Sequence, residues 1–151
     1  MVVVNSAGNG GFDPARNTLG APADGRRVLA IGAVDRDGVR APFSSVGPTI
    51  DGRIKPDVAA PGLRAKVARP TSDDSYAFAS GTSFSCPLIA GVVALLLEAH
   101  PTYTVDDVLF ALRSTASQAG APDNLLGWGL IDAVGAVDAE LALSVGARTS
   151  R

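Results

Sequence analysis

Of the side chains in this 151-residue chain that could act as a nucleophile, Ser83 has the best setting. It ends the turn Gly81-Thr82-Ser83 and opens a long apolar stretch that reads as a helix from about Ser83 to His100. A hydroxyl there sits at the positive end of the helix dipole. The free N–H groups of a first helical turn can hold developing negative charge, and Gly81 allows tight backbone approach. A serine at this position is also a common N-cap, and on these features alone both roles stand. A serine nucleophile needs a base within hydrogen-bond reach, and the base needs an orienting partner. His100 is the one imidazole. It ends the same helix, about 25 Å away at 1.5 Å per residue, and reads as a C-terminal helix residue favourable with the dipole. Cys86, in the first turn, could be a dipole-activated thiol or a small buried residue; the second reading is preferred.

The elements around Ser83 read as α/β. Val2 to Asn5 is an apolar, β-branched run of the kind found in buried parallel strands. Because a free-standing domain rarely begins in its own core, this opening suggests chain ahead of it. Val28–Val34 is a second core strand, ended by the turn Asp35-Arg-Asp-Gly38. Phe43–Ser45 and Asp57–Ala60 read as short strands, and Ser75–Ala79 as a hairpin arm. The helix after Ser83 is apolar nearly all round and is expected to run through the core. Pro87 falls in its first turn, where the missing N–H does little harm. Gly91 in its interior costs about 1 kcal/mol relative to alanine, which suggests close approach to a neighbouring strand. A second helix begins at Thr104, with Asp107 in a capping-box-like position. A third spans roughly Asp132 to Leu143, and the tail 144–151 reads as frayed. Trp128 and Phe110 read as packing residues. Two good central strands are too few for a complete sheet, so marginal stability is expected of the chain alone.

Composition removes several classes. Hydrophobic residues are 46% and charged residues 19%, which suits a core-forming domain and not a disordered chain. A net charge of −2 and no basic stripe argue against nucleic acid as a partner. The apolar run Leu88–Leu97 is half the length needed to cross a bilayer, so no membrane partner is expected. No signal-peptide pattern is visible. One cysteine excludes an internal disulfide and a cysteine-rich metal site.

The stretch Gly81-Thr-Ser-Phe-Ser-Cys-Pro-Leu-Ile-Ala-Gly91 resembles the nucleophile motif of the subtilisin-like (S8) serine proteases. Three further segments agree in chain order: Val2-Val-Val-Asn-Ser-Ala-Gly-Asn9; Ala33-Val-Asp35 with Phe43-Ser-Ser-Val-Gly47 and Lys55-Pro-Asp-Val-Ala-Ala-Pro-Gly62; and Gly127-Trp-Gly-Leu-Ile-Asp-Ala133. The resemblance implies the C-terminal half of a subtilisin-like three-layer α/β fold with a mostly parallel sheet, its N-terminal strands missing, over residues 1–143. It implies that Ser83 is the nucleophile and Asn9 an oxyanion donor; by residue type alone Asn9 is a turn residue between two glycines. It further implies that Ser6, Ala7 and Gly8 line one wall of the pocket for the residue before the scissile bond, with Gly20 to Ala23 near its base. Thr82 and Phe84 flank the nucleophile, Phe84 toward the leaving group.

In the family the triad aspartate and histidine precede the oxyanion asparagine. The eight residues before Asn9 include neither. Asp57 matches a structural position in the Lys-Pro-Asp segment. The resemblance therefore points to a serine endopeptidase acting on protein or peptide substrates, whose missing N-terminal half is the partner this chain needs, and predicts that the chain alone is inactive. A non-catalytic remnant, or one half of a split protease, is the alternative. A lipase-type elbow is absent, since Ser85 stands where Gly-x-Ser-x-Gly requires glycine. An extracellular or cell-envelope location and calcium binding are implied for the parent, with no assignable cofactor and no metal ligand cluster.

Overall fold

The computed structural model describes residues 1–139. Three parallel strands, β1 (Val3–Ser6), β2 (Val28–Val34) and β3 (Val58–Pro61), form a sheet in that order. The register sets Ser6 beside Ile31 and Val34 beside Pro61. Parallel strands finish at the same edge, which is where ligands meet open α/β sheets. β2 lies between two neighbours, and Leu29 to Val34 are buried. Residues 128–131 extend the sheet past β3: Ala59 N–H donates to Gly129 O (2.9 Å) and Ile131 N–H to Ala59 O (3.1 Å).

A separate antiparallel hairpin, β4 (Ala65–Ala68) and β5 (Tyr76–Ala79), leaves the end of β3 and returns to the Gly81 turn. Helix α1 (Thr82–Ala99) packs on the sheet through Ile89, Val93 and Leu96. Each such side chain stabilises by roughly 1.5–3 kcal/mol when fully buried. α2 (Val105–Ser114) turns Val108, Leu109 and Leu112 into the same core. Its start is a full capping box: Thr104 accepts from Asp107 N–H, and the Asp107 carboxylate accepts from Thr104 N–H at 2.8 Å. α3 (Ala133–Asp138) is capped by Asp132. His100, stacked on Tyr103 with ring centres 4.4 Å apart, reaches Val137 O at 2.7 Å and so ties α1 to α3.

The mostly parallel α/β architecture matches the sequence reading, and several local expectations do not hold. α1 is buried on one side only. Leu88 (51%) and Leu95 (57%) are exposed, because nothing in the described chain covers that face. At 18 residues α1 is apolar enough to span a bilayer by length and composition, which the shorter run Leu88–Leu97 did not suggest; its packing against the sheet makes it a sheet helix. A Cβ on Gly91 would meet nothing within 4 Å, so the expected strand contact is not made. β1 is only half-buried, since it has one neighbour strand. Phe43–Ser45 is turn and irregular backbone whose polar groups bond to the β1 end and β2. Phe110 is 60% exposed on the outer face of α2. The expected third helix beyond residue 139 and the tail 144–151 lie outside the described residues.

Candidate active site

The C-terminal ends of β1 and β3 bring Asn9 and the Gly81–Ser83 turn together. Gly81 is the N-cap of α1, with φ 153°, and contributes no side-chain cap. Ser83 is thus the second helical residue and not the cap. It is exposed, and among the described residues its hydroxyl has no hydrogen-bond partner. Its backbone N–H lies in the first turn, where no intrahelical acceptor exists. Close approach explains Gly62 at the end of β3. Gly81 N–H donates to Gly62 O at 2.9 Å, and a Cβ on Gly62 would lie 2.2 Å from Ser85 Oγ and 2.9 Å from Gly81 O.

Asn9 is held from both sides. Its Oδ1 accepts from the Thr82 N–H (2.9 Å) and from the Thr82 hydroxyl (3.0 Å). Two donors on one oxygen fix the amide orientation. The NH2 group is left to donate outward, 3.4 Å from where a Gly81 Cβ would stand. Thr82 Oγ1 also accepts from Gly8 N–H at 3.3 Å. Thr82 is 1% exposed, so its side chain is committed to Asn9 and Gly8 and not to the surface. Phe84 is half-buried beside the Gly81 turn.

The proposed pocket wall and base do meet. Gly20 N–H donates to Ala7 O (2.9 Å), and Ala23 N–H to Gly20 O (2.8 Å). Ala7 and Ala23 are fully buried, whereas Gly20 is exposed and Ser6 and Gly8 are half-buried. Any substrate contact at Ala7 or Ala23 would therefore be through backbone.

The sequence reading gave no role to Ser45. It is fully buried. Its N–H donates to Gly8 O (3.0 Å), and its Oγ accepts from Gly10 N–H (2.9 Å). It grips the backbone on both flanks of Asn9. The signal available was the small-residue pair Ser44-Ser45 inside an otherwise apolar segment.

Two candidate groups are engaged elsewhere. Asp57 is fully buried. Its Oδ2 accepts from Ala30 N–H (2.6 Å) and from Lys55 Nζ (2.7 Å), and its Oδ1 pairs with Arg113, which stacks over Trp128 at 4.3 Å. Burial pushes the Lys55 ammonium below its ordinary value, and the charge of Asp57 opposes that. Burial raises the Cys86 thiol, which fits a packing cysteine and not an activated one. No group of three or more His, Cys, Asp or Glu side chains gathers among the described residues. These residues therefore do not fit a carboxylate-built calcium site, and no step is assigned to calcium.

A parallel sheet, a serine at the head of its central helix and an oriented amide beside it define the chain as an α/β protein of layered sheet and helices. The Subtilase family (peptidase S8) matches residues 1–129, and the chain belongs to that family. It is 40% identical over 120 residues to Subtilisin DY of Bacillus licheniformis, covering 80% of this chain and 41% of that protein. It is 32% identical over 157 residues to serine protease AprX of Bacillus subtilis (strain 168), covering 91% of this chain and 35% of that one. The chain thus spans less than half the length of these relatives. Among solved structures, MycP1 with its N-terminal propeptide removed aligns with TM-score 0.74 and 27% identity, over 93% of this chain and 51% of that one. The prenylagaramide maturation protease PagA aligns with TM-score 0.73 and 28% identity, over 91% and 50%.

Proposed function

We propose that residues 1–143 are the C-terminal half of a serine endopeptidase domain in which Ser83 is the acyl-transfer nucleophile. The observation that carries this reading is the amide of Asn9, whose oxygen is taken by Thr82 so that its NH2 faces the Ser83 turn. The Ser83 oxygen attacks the scissile carbonyl and its proton passes to a base. The C–N bond then breaks, the amine leaves with that proton, and water hydrolyses the acyl-serine. The Asn9 NH2 and the Ser83 N–H hold the oxyanion. Removing one such donor costs about 10²–10³ in rate, a magnitude that comes from a subtilisin itself. Thr82 acts as a positioning residue. Ser6, Ala7, Gly8, Gly20 and Ala23 form the pocket before the scissile bond, largely through backbone, and Phe84 faces the leaving group.

The base and its orienting carboxylate come from the N-terminal half of the domain. That half covers the bare α1 face at Leu88 and Leu95 and pairs with the open edge of β1. The substrates are proteins or peptides, the location is extracellular or in the cell envelope, and the 151-residue chain alone is inactive. Two experiments test this. A fluorophosphonate probe is expected to label the protein expressed with whatever is encoded ahead of Met1, and not its Ser83→Ala variant. The purified chain alone should leave casein intact. Labelling that survives Ser83→Ala sinks the nucleophile assignment. Casein cleavage by the chain, abolished by Ser83→Ala, sinks the missing-base assignment.

A further inference from the structure

The outer face of the β4–β5 hairpin, which leads along the chain into the Gly81 turn, carries alternating cations and rings. The register sets Lys66 opposite Phe78 and Ala68 opposite Tyr76, so these four share one face. Tyr76 (63%) and Phe78 (65%) are among the most exposed large apolar side chains of the described residues. The Arg64 guanidinium lies over Phe78 at 5.2 Å, and the Lys66 ammonium over Tyr76 at 4.6 Å. Among the described residues neither cation has a carboxylate within ion-pair distance. Arg69 adds a third exposed cation at the far end of β4, and Asp73 and Asp74 lie beyond it in the connecting loop.

Arg64 also holds a left-handed backbone, φ 57°, where glycine or asparagine would be less strained. Its N–H donates to Ser80 Oγ at 3.0 Å, three residues before Ser83. The arginine is thereby anchored to the segment leading into the Ser83 turn. On a chain of net charge −2, this is a local positive, aromatic-backed strip.

We infer that this strip binds an extended acidic peptide segment, with carboxylates at alternate positions, in the polypeptides that reach the site. Phe78 and Tyr76 are two residues apart on one face, roughly 7 Å. One cation lies over each ring, and carboxylates at i and i+2 of an extended strand match that order. Ring faces below the cations hold them outward and offer apolar surface to the intervening side chains. The inference does not depend on catalysis, because it concerns binding outside Asn9 and Ser83.

The test is fluorescence anisotropy on the full chain at low ionic strength. The probes are short fluorescein-labelled peptides that alternate Asp with Ala or Ser with Ala, and a third with the same aspartates in one block. The alternating acidic peptide is expected to bind about tenfold more tightly than the Ser peptide and more tightly than the block, with the difference shrinking as salt is added. Lys66→Gln, and Arg64→Gln with Lys66→Gln, should remove that preference. Arg36→Gln, the same single charge change as Lys66→Gln but elsewhere on the surface, should keep it. Equal binding of the alternating acidic and Ser peptides overturns the inference. So does a preference that survives the double substitution, or one that Arg36→Gln removes equally.

Discussion

Thr82 holds the Asn9 carboxamide by two donors at once, its backbone N–H at 2.9 Å and its hydroxyl at 3.0 Å. Thr82→Val keeps the shape and the N–H bond but loses the hydroxyl, which donates to Asn9 and accepts from Gly8 N–H. The Asn9 amide then gains rotational freedom without losing its donor. In a protein that supplies a base to Ser83, kcat should fall about tenfold with KM near the parent value, since two neutral hydrogen bonds of up to about 1 kcal/mol each are lost. A change confined to KM would mean that Thr82 touches substrate.

Ser45 grips the other side of the same residue, through Gly8 O and Gly10 N–H. Ser45→Ala removes the Oγ that accepts from Gly10 and leaves that N–H without its partner. The expected result is a kcat loss of similar size, about tenfold, with the loss of fold stability held near 1 kcal/mol. A lowered thermal transition with kcat and KM both unchanged would assign Ser45 to scaffolding alone.

The strands β2 and β3, the N-cap of α2 and the serine at the head of α1 were legible because each rests on local pattern: an apolar run, a Thr–Asp pair, a Gly-Thr-Ser turn. What escaped the sequence is tertiary. β4 has no apolar alternation strong enough to separate Ala65-Lys-Val-Ala68 from loop. Ser45 looks like any loop serine until its two bonds to the Asn9 flanks are seen. Phe110 is apolar by type, yet it falls on the side of α2 away from Val108 and Leu112. The α1 periodicity shows apolar residues all round, and a sequence does not say which of two apolar faces the chain itself covers.

Lys55, Asp57 and Arg113 form one buried ion network that joins β2, the start of β3 and α2. Breaking a buried pair from one side leaves an uncompensated charge, which costs about 3–5 kcal/mol. Asp57→Asn is therefore expected to lower the urea midpoint strongly, and adding Lys55→Met to recover a measurable part of the loss. An Asp57→Asn chain within about 1 kcal/mol of the parent would mean that the lysine escapes to water.

Hydrogen bonds from Arg53 and Thr49 hold Asp51 at about 2, below its ordinary 3.8. A carboxylate depressed in the folded state adds stability above its unfolded value, and this is lost as pH falls through the folded value. The stability difference between the parent and Asp51→Asn should be constant above about pH 4 and shrink between pH 4 and 2. Thermal melts across that range measure it, and a difference independent of pH would show that Asp51 is not held by Arg53 in solution.

Gly91 stands in the middle of α1 on its bare side, and a methyl group added at its Cα would have no neighbour within 4 Å. An interior helical glycine is less favourable than alanine by about 0.5–1 kcal/mol. In the 151-residue chain Gly91→Ala should therefore stabilise, raising the melting temperature by about 1–4 °C. If, as proposed, an N-terminal half of the domain covers this face in a longer protein and packs closely at Gly91, the added methyl should destabilise that protein by about 1–3 kcal/mol. A substitution that stabilises the chain and weakens the longer protein places the docking surface at Gly91. Equal stabilisation of both would move that surface along α1 toward Leu88 or Leu95.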